Sequence, residues 1–430
     1  MSAHFNVPKP INEPVLGYAP GSPERAALKN ALNQFKSAQA DIPMHIGGKE
    51  VRTGDHHIMR PPHEIAHSLG HYHKGDATHV QAAIDASLAA KADWENTPWE
   101  QRAAIFLKAA DLLAGPYRAR MNASTMLAQS KNAFQAEIDA ACEMADFFRF
   151  NVQYLTQIQA VQPDSAPGMW NRLEYRPLEG FVLAVTPFNF TSIAANLCTA
   201  PALLGNTVVW KPAETQIYSA QVIMELLIEA GLPAGVVNLI YADGPLVGDL
   251  ALSHPDFAGL HFTGSTATFQ HLWRTIGTNV SKYRSYPRVV GETGGKDFVF
   301  AHPSADAQAV VTALSRGAFE YQGQKCSAAS RAYIPQSLWK TVKQGLQADI
   351  ESMRMGSPED FRNFINAVID ERSFDKISGY LSKAKNDPSV EIVAGGDYDK
   401  KVGFYIEPTV LRVDNPQYAT MCEELFGPVL

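Results

Sequence analysis

The hydrophobic pattern changes at about residue 178. Before it, apolar residues recur mostly at helical spacing, from Pro23 to Ala38 and again from Ala77 to Asp146. The best-marked stretch is "TPWEQRAAIFLKAADLLAGP". Thr97 is placed to cap it, Pro98 to open the helix and Glu100 to complete a capping box. Ile105, Phe106, Ala109, Leu112 and Leu113 form one face, and Gly115-Pro116 stops the helix. A second helical run covers Ala136–Phe150. Residues 153–177 then turn Gln- and Pro-containing. Two strand-like pieces there, around Tyr154–Val161 and Met169–Tyr175, predict a hairpin excursion.

From Leu178 onward short apolar runs alternate with amphipathic stretches. Gly180–Thr186, Thr207–Trp210, Val236–Ile240 and Ala258–Gly264 read as buried strands, and "QIYSAQVIMELLIEAG" as a helix ended by Gly231. After Glu292 the alternation resumes. "DFVFA" and "RAYI" read as strands, with helices over Ala305–Glu320, Ser337–Met353 and Ser373–Lys385 and short strands near Val390–Val393 and Thr409–Val413. The pattern predicts an α/β fold with a parallel, doubly wound sheet and a second α/β unit. Ligands of such sheets bind beyond the carboxyl ends of the strands.

Composition excludes several classes. The 430 residues, 46% of them hydrophobic, suit a large core divided among two or three domains. Four dispersed cysteines, Cys142, Cys198, Cys326 and Cys422, form no C-x-x-C pair and no disulfide framework, which favours a reducing compartment. A net charge of −7 and the lack of a Lys/Arg block argue against nucleic acid as a partner. No apolar run is long enough for a membrane span, and the opening residues hold neither a secretory signal nor an evident mitochondrial presequence. The segment 56–73 carries six histidines, with His67 and His71 at helical spacing. Pro61, Pro62 and Gly70 break any helix there, and no carboxylate or cysteine completes a set. It reads as a solvated loop and strand edge, and no metal is assigned.

Chemistry-bearing residues follow the strands. In "TPFNF" the Asn189 amide can donate to a ligand oxygen or form an Asx turn. In "VVWKPAE", Lys211 and Glu214 can meet phosphate and a ribose diol or sit in a solvated loop. In "HFTGSTATF", Gly264 and Ser265 open a helix whose N–H groups suit a phosphate, although no G-x-G-x-x-G is present. In "GETGGKD", Glu292 lies among glycines and can serve as a general base. In "GQKCSAASR", Cys326 is a nucleophile or a packing residue, and the neighbouring Lys325 is not assigned its activation.

As an ordered set, "TPFNF", "GNTVVWKPAE", "FTGS", "ETGGKD", "GQKCSAASR" and "EELFGPVL" resemble the aldehyde dehydrogenase superfamily over nearly the whole chain after about Asp76. "NEPVLGYAPGSPERAALKNAL", "IFLKAADLLAGP", "QAEIDAACEMADFFRFN" and "AFEYQGQKCSA" are similar to its delta-1-pyrroline-5-carboxylate dehydrogenase branch. The resemblance implies a Rossmann-type cofactor domain and an α/β catalytic domain. The expected boundaries are 1–152 for the N-terminal part of the cofactor domain, 153–177 for an oligomerising β-flap, 178–291 for the Rossmann-type part and 292–430 for the catalytic domain.

The resemblance also implies roles. Cys326 matches the nucleophile, Glu292 the base that activates water and Asn189 the oxyanion donor. Lys211, Glu214, Trp210 and Pro212 match the adenosine side of an NAD site, Gly264 and Ser265 the pyrophosphate side, and Glu424 and Phe426 the nicotinamide side. Phe190, Glu143 and Lys325 are candidates for the substrate pocket. Cys142, Cys198 and Cys422 match no catalytic motif and are expected to be structural. The implied reaction is NAD-dependent oxidation of glutamate 5-semialdehyde by a homodimer or larger homo-oligomer, in the mitochondrial matrix or the bacterial cytoplasm. The family continues beyond "EELFGPVL", so a truncated, non-catalytic NAD-binding subunit is a second expectation. A dehydrogenase for another semialdehyde is a third, and a cysteine hydrolase a fourth.

Overall fold

The computed structural model describes residues 6–430; the first five residues of the expected 1–152 segment lie outside it. The described chain forms two compact units. The first holds most of residues 6–292, and the second holds 60–69, 125–136 and 293–430.

The first unit opens with α1 (Pro23–Ser37), then β1 (Ala40–Ile42), β2 (Met44–Ile46), β3 (Lys49–Val51), β4 (His56–Met59) and β5 (Gly70–His73). The helices α2 (Ala77–Asn96), α3 (Trp99–Ala114) and α4 (Arg118–Gln129) follow, the last running into the second unit. The short α5 (Ala133–Ala136) leads into a π-helical turn, Glu137–Cys142, and α6 (Glu143–Ala160). The alternating part then reads β6 (Phe181–Thr186), α7 (Thr191–Leu203), β7 (Thr207–Pro212), α8 (Ile217–Ala230), β8 (Val237–Leu239), α9 (Gly244–Ser253), β9 (Phe257–Gly264), α10 (Thr266–Thr278) and β10 (Arg288–Thr293).

Seven strands form one sheet in the order β10-β9-β6-β7-β8-β2-β3. The run from β9 through β6 and β7 to β8 is parallel, and the β2–β3 hairpin closes one side antiparallel. The apolar runs form these strands because both faces are covered: Phe181, Leu183, Val209, Trp210, Leu260 and Phe262 are buried. The chain steps from β6 outward to β7 and β8, then returns to lay β9 on the other flank of β6. The strand order therefore reverses beside β6, at the switch point where α/β sheets open a crevice. Separately, β1, β5 and β4 form a three-stranded sheet.

The second unit adds β11 (Phe298–Phe300), α11 (Ala307–Phe319), β12 (Arg331–Tyr333), α12 (Gln336–Ser352), α13 (Glu371–Lys385), β13 (Val390–Ala394), β14 (Tyr398–Asp399), β15 (Tyr405–Ile406), β16 (Val410–Val413) and α14 (Ala419–Cys422). Strands β11 and β12 are parallel, while β13–β16 and β14–β15 are antiparallel. Its core gathers Val311, Leu314, Phe319, Val342, Leu346 and Ile365 around α11 and α12, and a second cluster packs Phe374, Ile377 and Leu381 of α13 with Leu425 and Val429.

Two sequence expectations change. Thr97 does not cap α3. It ends α2, its hydroxyl donating to the Asp93 carbonyl at 2.9 Å, and Pro98 takes the N-cap position without a side-chain bond. The single Thr-Pro step between the helices leaves that hydroxyl with the helix behind it. The strand expected at Tyr154–Val161 is the last part of α6, whose residues Phe148, Val152 and Leu155 continue one buried stripe. Met169–Tyr175 is not a strand either. The segment folds back through side chains, with Gln162 exchanging hydrogen bonds with the Leu173 backbone and the Tyr175 hydroxyl donating to the Val161 carbonyl.

Candidate active site

In the first unit the candidates collect at carboxyl ends of strands. Asn189 lies between β6 and α7 and is buried, followed by half-buried Phe190 at the N-cap of α7. Gly264 ends β9 and Ser265 is the N-cap of α10, its hydroxyl accepting from the Thr268 N–H at 3.2 Å. These two segments flank the switch point, so the first-turn N–H groups of α10 open onto the expected crevice. Lys211 is on β7, and burial holds its ammonium below the usual value against the opposing pull of Glu214 and Asp243. Glu214 opens the following 3₁₀ turn, is exposed, and lies 3.9 Å from Lys74.

Trp210 takes a different place from the one expected. Its ring is fully buried and its indole N–H donates to the Thr186 hydroxyl at 2.9 Å, so it braces β7 against β6 and presents no face to a ligand. Pro212 is buried too, so of the four residues expected on the adenosine side only Lys211 and Glu214 keep exposed side-chain surface.

Glu292 is on β10, a strand absent from the sequence reading because "RVVGET" is exposed and only weakly patterned. Its carboxylate accepts from the Thr263 hydroxyl of β9 at 3.2 Å. Glu143, at the start of α6, is half-buried and accepts from the Ser192 hydroxyl at 2.5 Å, more than a solvated helix carboxylate would do. Neither Thr263, Ser192 nor Lys74 carried a sequence signal, since each is known only by its partner across the fold.

In the second unit Cys326 follows an unusual turn. Tyr321, Gln322 and Gly323 have φ of 49°, 53° and 66°, three consecutive left-handed residues of which two carry side chains. Such backbone persists only where the surroundings over-determine it. Here the Tyr321 hydroxyl donates to the Gln129 carbonyl at 2.8 Å. Gln322 donates to the Ala367 carbonyl at 2.9 Å and accepts from the Asn366 N–H at 3.0 Å. Gln324 accepts from the Ile369 N–H at 2.9 Å. A Cβ at Gly323 would strike the Gly427 carbonyl, so only glycine lets the two chains approach. The adjoining Phe426 is itself left-handed at φ 59°. The Cys326 loop and the Phe426 turn are thus pressed back to back.

Cys326 and Lys325 are half-buried at the end of that loop. Cys142 and Cys198 are buried; burial, reinforced by Glu137, pushes the Cys142 thiol up to about 12. Cys422 is exposed. Glu424 folds onto the "ETGGKD" loop, accepting from the Gly295 N–H at 3.0 Å, while Lys376 donates to its carbonyl at 2.7 Å. Lys296 in that loop is pushed down to about 8, first by burial and then by Arg331. A cavity of about 960 Å³ between β12 and β16 is lined by none of the candidate residues.

The donor set fits a dinucleotide. Side-chain-free Gly264 stands at a helix start beside the switch point, and on the other side of β6 a lysine near the end of β7 is followed by a carboxylate in the next turn. Comparisons with known proteins agree. The aldehyde dehydrogenase family profile matches residues 55–430. The chain is 49% identical to the mitochondrial delta-1-pyrroline-5-carboxylate dehydrogenase of Dictyostelium discoideum, over 100% of this chain and 78% of that protein. It is 46% identical to the human mitochondrial protein of that name, over 99% of this chain and 76% of the other. Among solved structures, the delta-pyrroline-5-carboxylate dehydrogenase of Mycobacterium tuberculosis bound with NAD superposes with a TM-score of 0.96. That match has 52% identity and covers 100% of this chain and 79% of that one.

Proposed function

The chain belongs to the aldehyde dehydrogenase family, and we propose that it oxidises L-glutamate 5-semialdehyde, the open form of 1-pyrroline-5-carboxylate, to L-glutamate with NAD. The observation that carries the substrate is the near-half identity over the whole chain to proteins named for that activity.

The Cys326 thiolate attacks the aldehyde carbon and forms a thiohemiacetal, while the Asn189 amide and the Cys326 N–H hold the oxyanion. When bound, NAD supplies the acceptor for the hydride leaving that carbon, which remains as a thioester to Cys326. Glu292, steadied by Thr263, deprotonates the water that hydrolyses the thioester and frees the carboxylate product. Gly264 and Ser265 hold the pyrophosphate, Lys211 and Glu214 the adenosine ribose, and Glu424 and Phe426 the nicotinamide end. A carboxylate at Glu214 repels a 2′-phosphate, which favours NAD over its phosphorylated form. Phe190, Glu143 and Lys325 line the substrate side.

Self-association through residues 153–177 belongs to this reading. Met169, Trp170, Leu173 and Tyr175 are exposed apolar residues there, and such patches commonly mark interfaces. No helix among the described residues is long and apolar enough to cross a membrane. The compartment in this reading is the mitochondrial matrix in a eukaryotic source and the cytoplasm in a bacterial one; the word mitochondrial in the names of the Dictyostelium and human relatives supports the organelle.

The test is NADH formation by this chain from glutamate semialdehyde, beside succinic and aliphatic aldehydes and a Cys326→Ala control. Preference for glutamate semialdehyde, abolished by the substitution, supports the reading. Preference for another aldehyde replaces the substrate. A folded chain that binds NAD without turnover is a non-catalytic subunit.

A further inference from the structure

The histidines of segment 56–73 are sorted by the strands. His71 and His73 are two residues apart on β5, hence on one face of its sheet. On one side Asp41 of β1 stands opposite His71, and on the other His56 of β4 stands opposite His73. Three imidazoles and a carboxylate therefore meet on one face, from strands the sequence separates by a loop and a hairpin. Ligand atoms of His56, His71 and His73 lie within 4.8 Å of one another. One oxygen, Asp41 Oδ1, is 3.0 Å from His71 Nε2 and 2.6 Å from His73 Nε2. The rings are packed together: His56 stacks on His71 and meets His73 edge-on, each at 4.6 Å.

We propose that His56, His71, His73 and Asp41 form a binding site for one divalent transition-metal ion of the zinc class. Three imidazole nitrogens and one carboxylate oxygen are a zinc-type donor set. The outer contacts are those that orient ligands. The Thr53 carbonyl lies 2.9 Å from His56 Nε2, leaving Nδ1 of that ring for the ion, and 2.7 Å from His73 Nδ1, leaving Nε2. The Thr53 N–H also lies 2.9 Å from His73 Nδ1, so the metal selects between the two tautomers of this ring. Arg52 holds Asp41 Oδ2 at 2.9 Å and so turns Oδ1 toward the imidazoles. His73 is buried at the back of the cluster while His56 is exposed, which gives the ion a route in. Four-coordinate binding draws the nitrogens closer than they now stand, and His56, the exposed ring, is the one with room to shift.

The site is tested by titrating zinc sulfate into the chelator-treated full chain against a chromophoric chelator, with cobalt(II) as an optical probe. The expected result is saturation at about one ion per chain, with His56→Ala and His71→Ala each weakening binding by roughly tenfold or more. His73 is left intact because its burial makes it part of the fold, and circular dichroism checks each variant. Cys326→Ser and Cys422→Ser are expected to keep the site, and cobalt to give a ligand-field band without thiolate charge transfer. Unchanged affinity in the His56→Ala/His71→Ala double variant overturns the proposal. So does thiolate charge transfer lost in Cys326→Ser, or failure to saturate.

Discussion

At the residue scale, what separates the cysteines is surroundings. Cys142 touches the Glu137 carboxylate and is buried, Cys198 is buried in α7, and Cys326 ends a loop at half exposure. Iodoacetamide at neutral pH is therefore expected to label Cys326 and Cys422 and spare Cys142 and Cys198, as read by peptide mass spectrometry. Labelling of Cys142 in the folded chain would contradict the burial that raises its pKa. Thr263 offers a second test. Thr263→Val keeps the shape of β9 and removes the hydroxyl on Glu292, so thioester hydrolysis should slow by roughly tenfold, about the 1.4 kcal/mol of one hydrogen bond. A pre-steady-state burst of NADH, followed by slowed turnover, is the outcome to look for.

At the element scale, the turn before Cys326 is the feature that local preference opposes most strongly. Tyr321 and Gln322 stay left-handed because their side chains are tied to the backbones of Gln129, Ala367 and Asn366. A β-branched residue tolerates that region poorly, and Gln322→Val also removes three side-chain hydrogen bonds, to the Ser130 and Ala367 carbonyls and from the Asn366 N–H. A loss of about 1–3 kcal/mol from the backbone alone is expected, seen as a lowered Tm. Activity should fall further than stability explains, since Cys326 rides on this turn. Elsewhere the elements follow their own sequence. The apolar runs at β6, β7 and β9 and the stop of α8 at Gly231 were readable because each is a local pattern. The strand expected at Tyr154–Val161 failed because its apolar residues suit a helix equally well, and packing on the stripe of α6 decided the matter.

At the scale of the whole molecule, a buried ionic network ties the N-terminal segment to the first unit. Arg118 pairs with Glu137 and with Glu13, Glu13 also pairs with Arg149, and Glu137 accepts from the Tyr18 hydroxyl and the Leu16 N–H. Removing one member strands a buried charge, so Arg118→Ala should cost about 3–5 kcal/mol in denaturant unfolding. Replacing Arg118 and Glu137 together by apolar residues should cost less than the sum of the single changes. Burial alone would raise the Glu137 carboxyl, but Arg118, Tyr18 and the Leu16 N–H outweigh it and hold it below its usual value of 4.5. Its contribution to stability is thus present above pH 4.5 and is lost as pH falls through the lower folded value. Acid unfolding curves of Glu137→Gln should be flatter than wild type in that range. The sequence by itself determined the fold class, most strands and helices of the alternating half and the ordered candidate residues, because these are set by local periodicity and by short motifs at strand ends. Only the tertiary structure decided that Lys74 faces Glu214, that Trp210 braces the sheet, that Asp41 joins three histidines and that three residues before Cys326 turn left-handed. Each of those depends on groups distant in sequence whose meeting is fixed by strand order and packing, and no local pattern encodes it.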